Sequence, residues 1–178
     1  MPKTVIFFAH PNFGASRLNK ALINEVSKLK EIEIRDLYSL YGSTTFNSKL
    51  NISEDRALIE NAEKIILQFP FHWYSTPALL KQWLDDVFGY GWAYATPEPK
   101  TKGKKIYVAI TTGSADYGFK PNGYNNYYVT EFLTPFIQTA KFCQMEFAGA
   151  FFVHGAKVIT DSELEIKAND YVKFVKTQ

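Results

Sequence analysis

At 178 residues, 46% hydrophobic and 21% charged, the chain suits one domain with a full core and is too apolar to be disordered. Its net charge of +2, from 20 basic and 18 acidic residues, is too small to single out nucleic acid or an anionic membrane as the main partner. The single cysteine, Cys143, excludes an internal disulfide and a cysteine-built metal site, so no metal is expected, while the 16% aromatic content raises the question of what the rings do.

The first apolar run starts too early and is too short for a secretory signal, and nowhere do about 18 uncharged apolar residues run together. A cytoplasmic protein of one domain, 1–178, is expected. Thr4 to Ala9 is a continuous apolar run, the pattern of a strand buried on both faces of a parallel sheet, and His10 and Pro11 stop it. Ser16 is placed to cap a helix carrying Leu18, Leu22, Val26 and Leu29 on one face. Glu31 to Leu37 alternates like a strand nearer an edge, and Tyr38 to Ile52 has no period and reads as a long connection. A short helix is expected over 53–61, with Ser53 as its cap and Glu54 and Asp55 at its positive end.

Lys64 to Phe69 is the third strand. It runs into Pro70-Phe71-His72-Trp73-Tyr74, after which Pro77 opens an amphipathic helix. Lys104 to Thr111 is the fourth strand, ending in Thr111-Thr112-Gly113-Ser114, and a tyrosine- and asparagine-rich loop follows through Tyr128. Val129 to Phe142 reads as a helix in which Pro135 marks a kink or a late start. Phe147 to Val153 is the fifth strand and Ser162 to Val175 the closing helix.

Strands alternating with helices predict an α/β fold, a five-stranded parallel sheet with helices on both faces. Ligands of such sheets lie outside the carboxyl ends of the strands, so the loops leaving strands one, three and four share one edge. The first loop brings His10, Ser16, Arg17 and Asn19 to a helix start. There they either bind a phosphate or simply cap the helix and bond the next loop. The second brings Phe71, Trp73 and Tyr74, which are either a hydrophobic corner or the wall for a planar ring. Asp85 and Asp86 diverge on their helix and suit pairing with Lys81 or Lys105 better than catalysis, Cys143 reads as a small core residue, and His154 falls at the end of strand five with no evident partner.

Ala9-His10-Pro11, Ser16 to Leu22, Phe69 to Asp85, Gly91-Trp92-Ala93-Tyr94 and Thr111-Thr112-Gly113 together resemble the NAD(P)H:quinone oxidoreductase family of flavodoxin-like flavoproteins. Within it the chain is most similar to short bacterial members, among them general stress oxidoreductases and the ancillary flavoprotein of potassium efflux systems. The resemblance implies a flavodoxin-like sheet of order 2-1-3-4-5 and a homodimer with the flavin near its interface. It also implies a ping-pong transfer of two electrons from NAD(P)H through the flavin to a quinone.

It implies FMN rather than FAD, since the long FAD-binding relatives carry an extra C-terminal region. His10, Ser16, Arg17, Leu18 and Asn19 would hold the phosphate and ribityl part. Pro70, Phe71, His72, Trp73 and Tyr74 would line the ring system, and Thr111, Thr112, Gly113 and Ser114 its pyrimidine edge. The family's tyrosine and histidine over the flavin fall on Phe119 and Asn125, neither of which relays a proton. Tyr124 is the nearby phenol considered in their place, alongside Tyr117, Tyr127 and Tyr128. Two rival functions go with this reading: a regulatory subunit for a membrane potassium antiporter, or a one-electron carrier of flavodoxin type.

Overall fold

The computed structural model describes residues 3–42 and 50–176. Five parallel strands form one sheet in the order β2-β1-β3-β4-β5: β1 (Thr4–Phe8), β2 (Ile32–Asp36), β3 (Lys64–Pro70), β4 (Lys105–Thr111) and β5 (Glu146–Val153). The three inner strands are the most apolar, buried almost throughout because helices cover both of their faces, with Gln68 of β3 a buried polar exception. β2 and β5, at the edges, are only half-buried along most of their length. One extra residue in β5, Ala148, bulges opposite the step from Ile106 to Tyr107.

Alternate residues feed two cores. Val5, Phe7, Ile65, Leu67, Val108 and Ile110 face helices α3 (Ser53–Asn61), α4 (Ala78–Val87) and α5 (Thr134–Phe142), with Ile59, Trp83 and Phe136 as filling. Ile6, Ile66, Tyr107 and Ala109 face α1 (Arg17–Val26) and α6 (Asp161–Lys176), which supply Leu22, Val26, Leu164 and Tyr171. The fold is therefore the flavodoxin-like sheet expected, in the expected order. Among the described residues no helix is long and apolar enough to cross a membrane.

Some local details differ from expectation. A short helix, α2 (Leu37–Tyr41), occupies the start of the predicted connection, capped by the Asp36 carboxylate accepting from the Ser39 amide at 3.1 Å. The rest of that connection, 43–49, lies outside the described residues. Ser53 is not a cap: its hydroxyl donates to Asn51 Oδ1 at 2.9 Å, and Ile52 stands at the N-cap with no side-chain bond. The proline at 135 belongs to a late start, since 129–133 is a 3₁₀ turn and α5 begins at Thr134.

Asp55 does not serve the dipole of α3 from its surface. It is fully buried and accepts from Arg35 Nε at 2.9 Å, Tyr41 hydroxyl at 2.9 Å and Trp83 Nε1 at 2.7 Å. Such a charge is tolerable inside a protein only when several donors meet it. Burial, helped by the Asp55 carboxylate, pushes the Tyr41 phenol up to about 12.

Candidate functional site

The ladder continues past the strand ends and sets the loops in register. Ala9 donates to Gln68 carbonyl at 2.9 Å and Phe71 to Thr111 carbonyl at 2.8 Å. A buried relay runs beneath them: Tyr171 hydroxyl donates to Gln68 Oε1 at 2.8 Å, Gln68 Nε2 to Asn19 Oδ1 at 3.2 Å, and Asn19 Nδ2 to Thr111 Oγ1 at 2.8 Å. The side chains of Asn19 and Thr111 are thus occupied inside the protein, bracing the floor of the site. Burial pushes the Tyr171 phenol above its usual range, which keeps it a donor.

At the first loop Ser16 caps α1, its Oγ accepting from the Asn19 amide at 3.3 Å. The amides of Arg17 and Leu18 have no acceptor among the described residues, and the Leu18 side chain is buried in the α1–α6 core. Arg17 reaches away from this end. Its guanidinium donates to Ile159 carbonyl at 2.7 Å and pairs with Asp161 at 2.6 Å, tying α1 to the loop before α6. His10 Nδ1 accepts from the Asn12 amide at 3.1 Å. Burial and the His72 charge hold the His10 imidazole below its ordinary value, against the pull of Asp36.

The second loop leaves Pro70, the buried last residue of β3, and makes a two-residue turn. His72 and Ser75 exchange backbone bonds of 3.0 and 2.9 Å, while Trp73 (φ 49) and Tyr74 (φ 63) both hold left-handed backbone. That is the geometry of a type I′ turn, which asparagine and glycine normally fill, and for bulky residues it costs roughly 1–2 kcal/mol each. The strain presents Trp73 to solvent, 93% exposed, its ring packed against no other among the described residues. Tyr74 instead stacks on Phe132 at 5.3 Å and 21° and Phe71 meets Phe132 edge-on at 5.6 Å, so these two rings pack as a hydrophobic corner while Trp73 stays outside it.

At the third loop Thr112 and Ser114 are clamped by the end of β5. Ser114 carbonyl accepts from Thr112 Oγ1 at 2.6 Å and from the Gly155 amide at 2.8 Å, and Ala156 donates to Thr112 carbonyl at 3.1 Å. Gly113 opens into free space, with nothing within 4 Å of where a Cβ would be. Phe119 is buried, 6.3 Å from the Phe71 ring, and Asn125 is 8% exposed. Asn125 Oδ1 accepts a long 3.4 Å bond from Tyr74 hydroxyl, while its Nδ2, like Thr76 Oγ1, is buried with no partner among the described residues. Tyr124 lies against Gly118, whose missing Cβ would fall 2.6 Å from the phenol ring, and remains mostly exposed.

The structure gathers Phe71, Tyr74 and Tyr127 around Phe132, a residue that sequence periodicity places in a helix, with Phe119 against Phe71 and Asn125 against Tyr74. It also corrects the reading of His154 as partnerless. His154 Nδ1 lies 2.9 Å from Thr112 Oγ1 and its Nε2 3.5 Å from Asp116, between the rings of Phe119 and Phe152. Because the Thr112 hydroxyl spends its proton on Ser114 carbonyl, His154 is the donor in that pair, and the Nδ1–H tautomer follows. Burial holds this imidazole low, with Asp116 opposing and Lys167 assisting. Cys143 is buried, as expected of a core residue, and burial pushes its thiol up. Lys81 pairs with Asp85, and Asp86 accepts from the Leu50 amide at 3.1 Å.

This edge carries exposed aromatic rings, Trp73, Tyr74, Tyr117 and Tyr124 among them. A cavity of about 820 Å³ lies at the other end of the strands and shares none of these residues. The free amides of the first loop, the strained tryptophan of the second and the orphaned Asn125 amide of the third all lie on loops at the carboxyl edge of the sheet.

The family described as flavodoxin-like fold matches residues 2–175. An uncharacterized NAD(P)H oxidoreductase of Bacillus subtilis, YrkL, is 35% identical over 176 residues, 99% of each chain. The glutathione-regulated potassium-efflux system ancillary protein KefF of an Enterobacter species is 36% identical over 167 residues, 94% of this chain and 92% of that one. The crystal structure of general stress protein 14 from Treponema denticola in complex with FMN has a TM-score of 0.89 at 34% identity, covering 98% of each chain.

Proposed function

The chain belongs to the flavodoxin-like fold family, and from that premise we propose that it is an FMN-dependent NAD(P)H oxidoreductase that passes two electrons to quinones or similarly flat electrophiles. The observation that carries this reading is the solvent-facing indole of Trp73, held on a strained turn at the same sheet edge as unpaired helix-start amides. The residues fit the group. The amides of Arg17 and Leu18, with the positive end of α1, suit a phosphate, Trp73 and Phe71 suit a flat ring, and the open Gly113 lets the 112–114 backbone approach its polar edge. The names of the Bacillus oxidoreductase and the FMN-bound Treponema protein support the same choice of cofactor and reductant.

When bound, FMN supplies the electron chemistry, and the protein supplies position and charge. Backbone N–H groups at Gly113 and Ser114 would supply dipoles for the edge of the group where negative charge would build up. His154 and the β5 loop fix those amides through Thr112 and Ser114. With Phe119 and Asn125 unable to relay a proton, His154 is a positioning residue here, and water or the substrate's own groups carry the proton. Donor and acceptor, both flat, would use one aromatic surface in turn, the basis of ping-pong kinetics.

The exposed rings of the third loop, Tyr117, Tyr124, Tyr127 and Tyr128, are apolar surface of the kind that a second copy covers, which supports a homodimer, and a cytoplasmic location is part of the same proposal. A second reading, an ancillary subunit on a membrane potassium antiporter, is favoured by the likeness to KefF. Co-expression with such an antiporter tests it, retention of the two together being the expected mark of that role. The main reading is tested by purifying the protein, recording its visible spectrum and identifying the released cofactor by mass. Stoichiometric FMN and parallel double-reciprocal plots with NAD(P)H and a benzoquinone are expected. A colourless protein that takes up neither FMN nor FAD would overturn it.

A further inference from the structure

At the amino ends of the strands, on the far side of the sheet from the candidate site, seven lysines and two glutamates surround a cavity of about 820 Å³. The chain as a whole carries 20 basic and 18 acidic residues, so without this rim its net charge would be negative. Positive charge is therefore concentrated in one concave place.

Some of these lysines are already engaged. Lys102 pairs with Glu98 at 2.9 Å, Lys3 approaches Glu63 at 3.8 Å, and Lys104 donates to the carbonyls of Glu60 and Ala62 at 2.8 and 2.9 Å. Lys64 is buried, donates to Phe174 carbonyl at 2.6 Å and lies 4.2 Å from the Tyr107 ring centroid. Lys30, Lys105 and Lys176 make no side-chain hydrogen bond or ion pair among the described residues, yet they line the same cavity. Like charges gathered in a concavity repel one another, and an anion bound among them removes that repulsion. The floor, in contrast, is apolar, formed by Leu29, Ile32, Ala62, Tyr107 and Val175.

We propose that this cavity is a second binding site, for a small organic polyanion in which a compact apolar or aromatic body carries two or more phosphate groups. The body would rest on the floor and the phosphates would reach the ammonium groups of Lys30, Lys105 and Lys176, point charges well suited to phosphate. The volume lies within the range of small-molecule pockets, and the concave shape with glutamates at its rim disfavours a flat membrane or a continuous nucleic-acid backbone. β3 and β4, of seven residues each, separate the cavity from the opposite edge by about 20 Å, so its ligand does not compete with one held there.

The test titrates ATP and, separately, inorganic triphosphate into the FMN-saturated protein at low ionic strength by calorimetry. If no flavin is taken up, the protein as purified is used, so the outcome is read independently of the proposed activity. One saturable site is expected, tighter for ATP than for triphosphate because of the floor, and weakened about tenfold or more by the double substitution Lys30→Glu/Lys105→Glu, of the exposed Lys30 and the half-buried Lys105. FMN content and thermal midpoint of that variant should match the parent, and Lys176→Glu should weaken ATP in the same direction. No saturable binding, equal affinity in the parent and the double variant, or binding of anionic vesicles or RNA in place of ATP would each overturn the proposal.

Discussion

Replacing Trp73 by asparagine separates the stability of the turn from its use. In the folded chain Trp73 holds φ 49, a left-handed conformation that costs a bulky L-residue roughly 1–2 kcal/mol and that asparagine tolerates far better. The indole is 93% exposed and packs on no other ring among the described residues, so its removal forfeits almost no burial. The flavin-free variant should therefore gain on the order of 1 kcal/mol, a rise in Tm of about 2–4 °C for a chain of this size. FMN affinity should move the other way. Losing one stacking surface is worth about 1–3 kcal/mol, a drop of roughly 5- to 150-fold. Thermal melts of the flavin-free proteins and FMN titration by quenching of flavin fluorescence give the two numbers. A variant that melts lower than the parent refutes the strain argument, and an unchanged FMN affinity removes Trp73 from the flavin wall.

Asp55→Ala should cost about 3–5 kcal/mol in urea unfolding, because it strands Arg35, Tyr41 and Trp83 donors in the interior; a loss under 1 kcal/mol would mean the network is not load-sharing. His10 and His154 are both held below the ordinary value of 6.5, so the unfolded chain binds more protons and stability is lost as pH falls through 6.5 toward the lower folded values. His154→Asn, which keeps a donor for Thr112 but cannot be protonated, should flatten part of that acid loss. Urea midpoints measured on either side of pH 6.5 check it, and an unchanged slope would remove His154 from the titration.

The fold was legible because its inner strands leave no polar side: Val5 to Phe8, Ile65 to Phe69 and Ile106 to Ile110 are buried on both faces, and only a parallel sheet under two helical layers makes that pattern. The loops carrying Ser16, Trp73 and Gly113 were legible for the related reason that strand ends in such a sheet share one edge. What stayed hidden depends on partners far away in sequence. Arg17 looks like a phosphate ligand beside Ser16, yet its long side chain finds carbonyls and a carboxylate more than 130 positions on. His154 meets Thr112 only because β4 and β5 are neighbours, and nothing local to Val153 or Gly155 announces it. Asp55 reads as an ordinary first-turn acid on α3, and its burial becomes visible only when Tyr41 and Trp83 close over it. The strain at Trp73 and Tyr74 runs against local preference, and such violations tend to gather where a protein binds something.

The central claim is best tested by anaerobic reduction of the FMN-loaded protein with NAD(P)H, followed by mixing with a benzoquinone, each step monitored through the visible flavin absorbance. Complete bleaching by one equivalent of NAD(P)H, without a one-electron stage, and complete recovery with one equivalent of quinone are expected. Failure of NAD(P)H to bleach the flavin, or reduction that halts at a stable one-electron state, would contradict the central claim and leave the chain an electron carrier or a regulatory subunit.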